Sequence, residues 1–300
     1  MHFKLIFDGE ALKNHDIYPR DLSSAILAID DLLKESNNLL NKGRARADVK
    51  VTASFETGCF QINFVLSILD QLKDLFTSHG IDALLNAKDI LELIFSGSVS
   101  VVALIKFLKG RKAEKIYENE DGTLTINKDQ KQLIVEKKVY ELYNDYKLRK
   151  AFQDLVKPVA EREGVEEVAV QYGKEKSDFT VISTKKEASY FICPAPEEEK
   201  IDGSVTFETS INVISLSFRE GNKWYVNDGQ SSFYALVEDE YFLQEVESSH
   251  IAFSKGDILR VRIRREQYYI KAESKLKTEN FIEKVVKHQK PPSQESFELS

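Results

Sequence analysis

The sequence predicts an α+β protein: an N-terminal β-α-β-β unit, a central helical and apolar segment with an α/β portion behind it, and a C-terminal small β-barrel or sandwich. Three observations predict it. Before residue 66, short period-two runs flank one long stretch whose apolar residues recur at helical spacing. Ile90–Leu108 is almost wholly apolar in an otherwise charge-rich chain. From residue 201 onward, short β-rich runs alternate with glycine-containing turns.

Taken in order, His2–Asp8 reads as a strand and Asp8-Gly9 as a turn. Pro19 to Asn41 reads as a helix, with Pro19 suited to its start and Gly43 to its stop. Leu22, Ile26, Ile29, Leu33 and Leu40 form its apolar face. Ala47–Glu56 and Cys59–Leu66 read as a hairpin around Thr57-Gly58 with one buried face, including Phe60, Ile62 and Phe64. Ser67–Phe76, Ile81–Phe95 and Val99–Lys109 continue as helices broken at Gly80 and Gly97. Lys115–Tyr117, Thr123–Ile126 and Gln132–Val135 read as strands, Glu136–Tyr143 and Lys147–Glu161 as helices, and Val165–Tyr172 and Phe179–Ser183 as strands. Pro194–Lys200 has the composition of a linker. Val205–Phe218, Trp224–Val226, Ser231–Val237, Ile258–Arg264 and Asn280–His288 read as five strands, with a turn at Asn227-Asp228-Gly229 and a short acidic helix over Glu238–Glu247. The domains expected are 1–66, 67–113, 114–196 and 201–289, with 290–300 as a disordered tail.

Composition sets outer limits. At 300 residues, 42% hydrophobic and 30% charged, the chain is globular and long enough for two or three compact domains. A net charge of −7 argues against the whole molecule being an electrostatic binder of nucleic acid. The two cysteines, Cys59 and Cys193, have no metal-ligand spacing, and a reducing cytoplasm with free thiols is expected. Asp8 and Glu10 interrupt the apolar N-terminus, which is not expected to be a secretory signal.

The apolar segment carries two readings. As one helix, Ile90–Leu108 would extend about 28 Å, close to the hydrocarbon thickness of a bilayer. As two helices meeting at Gly97 it is a buried pair. The buried reading is preferred, because the second run is too short to span a membrane alone. The candidate membrane or oligomer segment is therefore Ile94, Gly97, Val101, Leu104, Ile105 and Leu108 with the basic residues Lys109, Arg111 and Lys112. The soluble reading expects all five apolar positions to be buried and the cations, with Lys106, to stay at the surface.

A second candidate is the basic patch Arg260, Arg262 and Arg264. In a strand the three share one face, opposite Leu259, Val261 and Ile263. Together with Tyr268 and Tyr269 they have the chemistry to grip phosphates and stack bases. Cross-strand pairing with glutamates such as Glu283 is the preferred reading in an acidic chain. Cys59 follows a glycine turn, with no histidine near it in sequence to activate it. The five histidines, His2, His15, His79, His250 and His288, form no metal spacing. No phosphate loop, dinucleotide fingerprint or nucleophile elbow is present. Catalytic, metal and cofactor residues are therefore not assigned, and no cofactor is expected.

Three stretches together carry a resemblance: LIFDGEALKNHDI followed by the Leu/Ile helix and the GCF turn, then LIKFLKGRK, then SLSFREGNKWYVNDGQSSFYALVEDEYF with FSKGDILRVRI. In that order they resemble an uncharacterised family of bacterial and mobile-element proteins, over most of the chain. The resemblance implies a cytoplasmic prokaryotic protein linked to conflict between bacteria and phage, and implies no catalytic residue.

The function expected is a non-enzymatic binding or assembly protein of the prokaryotic cytoplasm. It would dock a protein partner or a second copy through its β-modules. One alternative is a membrane-acting effector, peripheral to the membrane, that inserts residues 81–112. Another is a hydrolase or nuclease whose site is assembled from distant residues. Nucleic acid is not an expected partner.

Overall fold

The computed structural model describes residues 1–14, 16–52, 60–70, 84–173, 179–217, 219, 221–251, 253 and 257–290. The chain divides into two compact units, Met1–Ala195 and Pro196–Ser300.

The first unit runs β1 (His2–Asp8), α1 (Pro19–Leu40), β2 (Ala45–Thr52), β3 (Phe60–Asp70), α2 (Ala87–Phe95) and α3 (Val101–Leu108). It continues with β4 (Lys115–Glu118), β5 (Thr123–Lys128), β6 (Lys131–Glu136), α4 (Lys137–Asn144), α5 (Tyr146–Glu161), β7 (Glu167–Gln171) and β8 (Phe179–Thr184). An antiparallel sheet has the order β2-β3-β1-β7-β8, and β4-β5-β6 form a separate three-stranded sheet. The alternation of β1 puts Phe3, Leu5 and Phe7 on one face, where they oppose Phe64, Ile62 and Phe60 of β3. Helix α1 starts at Pro19, whose missing N–H suits the first helical position, and buries Ala25, Ile29, Leu32 and Leu33 in the same hydrophobic core as this face.

One hydrophobic core extends through the whole first unit, from Phe3 to Phe191, and takes in Leu124, Ile126 and Val135 of the small sheet. The expected divisions at 66/67 and 113/114 therefore fall inside one packed core. The expected helix Ser67–Phe76 is corrected over its described part: Ser67–Asp70 continue β3, paired with Asp48–Ala45 of β2. Ile68 and Leu69 fit a helical or a strand pattern equally, and the long-range ladder decides. Thr57-Gly58, Cys59 and Gly80 lie outside the described residues.

The second unit runs β9 (Glu198–Lys200), β10 (Val205–Ser215), β11 (Trp224–Asn227), β12 (Ser232–Val237), α6 (Glu240–Glu247), β13 (Ile258–Ile270) and β14 (Lys275–Gln289). Strands follow the order β10-β11-β12-β14-β13, and β13 pairs back onto β10, closing a five-stranded barrel. The β12–β14 pair is parallel and the others are antiparallel. This strand order, with the helix between the third and fourth strands, is the OB-fold topology. A barrel thus resolves the expected choice between barrel and sandwich.

Trp224, Val226, Ala235, Ile211, Leu259, Val261, Ile263 and Ile282 fill the barrel. Trp224 packs against Phe242 of α6 and Phe253, and its indole N–H donates to the Ser217 carbonyl at 3.1 Å. Two sequence expectations are corrected here. Glu198–Lys200, expected in a linker, is a strand paired with Tyr268–Ile270. The last two strands are longer than expected and form one hairpin from Ile258 to Gln289, because each residue of Arg264–Ile270 has a partner on β14.

Candidate binding surfaces on the C-terminal barrel

The apolar segment is core. Asn86 caps α2 in a capping box with Asp89, and Ser100 caps α3. Gly97 lies between the helices at φ +75°, a conformation that costs glycine little. Ile94 and Val101 are 1% exposed and Leu104, Ile105 and Leu108 are fully buried. Phe95 meets Phe152 of α5 edge to face at 6.3 Å. Lys106 lies part-buried, with its Nζ donating to the Val181 carbonyl at 3.1 Å and pairing with Glu187 at 3.0 Å. Lys109, Arg111 and Lys112 are exposed. At Gly110, φ +73° and the nearby Tyr190 carbonyl leave no room for a Cβ. Nearby, buried Lys128 donates to the Leu108 carbonyl, and burial lowers its pKa. Among the described residues no helix is long and apolar enough to cross a membrane.

On the barrel the three arginines of β13 divide. Arg264 is held on three sides, by Glu238 at 2.8 Å, Glu283 at 2.9 Å and Glu266, and lies over the Phe281 ring at 4.3 Å. The expected Glu283 pairing is thus observed at Arg264. Arg260 and Arg262 instead share one carboxylate, Glu208 of β10, at 3.4 and 3.3 Å, and stay half or more exposed. Glu266 is itself buried. Hydrogen bonds from Lys200 and then Tyr268, with the charge of Arg264, bring its pKa down to about 2.

A second surface has no motif that marks it in the sequence. Trp224 and Val226 point into the barrel, so Tyr225 and Asn227 point out. The β11–β12 register sets Tyr225 opposite Tyr234, with ring centroids 4.7 Å apart and planes at 33°. Tyr234 is 61% exposed. The next row is Asn212, Asn227 and Ser232 across β10, β11 and β12, with Asn227 donating to the Ser232 hydroxyl at 2.8 Å. At the rim, Lys223 and Lys277 both pair with Glu279, at 3.1 and 3.4 Å, and these contacts lower the Glu279 pKa, the Lys223 hydrogen bond most. The face is therefore aromatic, amide and hydroxyl in character, with its charges matched at the edge.

Elsewhere, polar groups hold the fold together. His288 and Asp257 pair at 2.8 Å on the second unit. Burial raises the pKa of the Cys193 thiol, which opposes the thiolate a nucleophile needs. In the first unit a cleft of about 770 Å³ contains Tyr18, Asp21 and Arg162. There Arg162 bonds both Asp21 oxygens, at 2.7 and 3.4 Å, and covers the Tyr18 ring at 4.6 Å. Among the described residues no group of three or more His, Cys, Asp or Glu is placed to hold a metal ion.

Comparison with protein-family models, curated proteins and solved structures gives no match.

Proposed function

We propose that this chain is a non-enzymatic binding protein of the cytoplasm whose β11–β12 face docks a partner protein. The observation that carries the reading is the Tyr225–Tyr234 pair, with Tyr234 exposed and Tyr225 half-buried, beside Asn212, Asn227 and Ser232. Tyrosine offers a large, rigid contact area at low entropic cost, and asparagine and serine supply adaptable hydrogen bonds. Tyrosine is also enriched among the residues that dominate binding energy at protein interfaces. The face carries little uncompensated charge, which favours a protein over a polyanion. The first unit then serves as a scaffold. The membrane-insertion alternative relies on residues that here form core, so insertion would first have to unpack them.

A photo-crosslinking side chain at position 234, with position 241 as an equally exposed control on α6, tests this in cells that make the protein. The expected result is a discrete adduct from position 234 alone, weakened by Tyr225→Ala. An adduct with a second copy assigns the face to self-assembly. Equal, diffuse labelling from both positions contradicts the proposal.

A further inference from the structure

We propose a second contact site on the barrel, formed by Arg260, Arg262, Lys284 and Lys287, that holds the phosphate backbone of a nucleic acid. It differs from the patch suggested by sequence alone. Arg264 is excluded, because three carboxylates already surround it. Two lysines replace it, brought in by the β13–β14 register: Lys287 opposite Arg260 and Lys284 opposite Arg262.

The charges on this ladder are incompletely matched. Glu208 is one carboxylate serving both Arg260 and Arg262, at contacts of 3.4 and 3.3 Å. Lys284 reaches Asp239 at 3.3 Å, but Asp239 also accepts from the Phe242 and Val285 amides and caps α6. Lys287 is exposed, and among the described residues no carboxylate lies within ion-pair reach of it. Four cations thus face two carboxylates, one of which is committed to capping and to a strand amide.

Spacing favours a chain of phosphates over a single anion. Alternate residues along a strand lie about 6.5–7 Å apart and cross-strand neighbours about 5 Å apart. That repeat is close to the separation of successive phosphates in a nucleic acid strand. Arginine presents a planar fork that bonds two phosphate oxygens at once, and lysine adds a point charge. A membrane surface fits less well. Val286 is exposed between the lysines and the exposed Tyr241 ring lies 5.9 Å from the Lys284 ammonium, but among the described residues no exposed tryptophan or phenylalanine stands beside them to enter the headgroup layer. The net negative charge of the chain does not cancel a local site, since charges beyond about 10 Å are largely screened at 0.1 M salt. It does make the affinity modest, while the phosphate contacts themselves make it salt-dependent through counterion release.

The test is fluorescence anisotropy of a labelled single-stranded deoxythymidine oligomer titrated with the full chain. With three to four phosphate contacts, raising salt from about 50 to about 200 mM should weaken binding by about 20- to 50-fold. Lys287→Glu should reduce affinity and flatten that dependence to about 7- to 20-fold, as expected for one contact fewer. Arg260→Gln with Arg262→Gln should reduce it further, while Trp224 fluorescence reports an intact barrel. Tyr234→Ala should leave it unchanged, which separates this site from the protein-docking face. No binding at the lower salt, or binding indifferent to Lys287→Glu, overturns the proposal. So does stronger retention on vesicles of phosphatidylcholine with phosphatidylserine than on the oligomer.

Discussion

The rings of Phe3 and Phe64 stack across the β1–β3 pair with centroids 5.1 Å apart and planes within 10°. Both residues are nearly fully buried, in the core that α1 also lines. Phe64→Ala removes the stack and leaves a cavity in that core. It should cost about 3–5 kcal/mol, the usual range for a buried aromatic. Chemical denaturation of the full chain measures this, and an unchanged midpoint would mean the strand faces the other way.

Leu104 is fully buried in α3. Leu104→Asp places a charge where nothing pairs with it, and the first unit should lose about 4 kcal/mol or more. The substitution should unfold that unit by circular dichroism. A variant that folds normally but no longer associates with anionic vesicles would make the segment a membrane device.

Gly110→Ala should also destabilise the first unit. The backbone there has φ +73°, and the added Cβ meets the Tyr190 carbonyl. A β-carbon in that conformation costs about 1–2 kcal/mol before the clash is counted. A thermal midpoint that rises would contradict the tight turn that leads from α3 towards β4.

Acid should weaken the barrel through Glu266. Its folded pKa, about 2, lies below the ordinary 4.5. The unfolded chain therefore takes up this proton first as pH falls. The stability it contributes is present above about pH 4.5 and is lost as pH falls towards 2. Glu266→Gln should flatten that limb when unfolding is followed by Trp224 fluorescence. An unchanged pH profile would mean the Lys200–Glu266–Tyr268 contacts do not persist in solution.

Much of this architecture is legible in local pattern. The period-two runs of β1 and β3, the helical spacing in α1 and the break at Gly97 each reflect one buried face, and burial leaves its mark within a few residues. What local pattern misses is partner choice. Ser67–Asp70 join β3 because Ala45–Asp48 lie beside them. Glu198–Lys200 look like a linker until Tyr268–Ile270 pair with them. The Tyr225–Tyr234 pair is only partly within reach of the sequence. Asn227-Asp228-Gly229 reads as a hairpin turn. Its register depends on loop length, however: a two-residue Asp228-Gly229 turn would set Tyr225 opposite Ser232, whereas the ladder pairs Asn227 with Ser232 and so Tyr225 with Tyr234. Of the three carboxylates around Arg264, Glu266 lies two residues along β13 and Glu283 on its hairpin partner β14, while Glu238 at the end of β12 is brought in by the parallel β12–β14 pair.

Hydrogen–deuterium exchange over residues 90–108 of the full chain tests most directly whether the apolar segment is core, leaving recognition to the barrel surface. Burial of Ile94, Val101, Leu104, Ile105 and Leu108 predicts slow exchange in α2 and α3, comparable to β1 and unaltered by anionic vesicles. Fast exchange throughout the segment, or protection lost when vesicles are added, would contradict it.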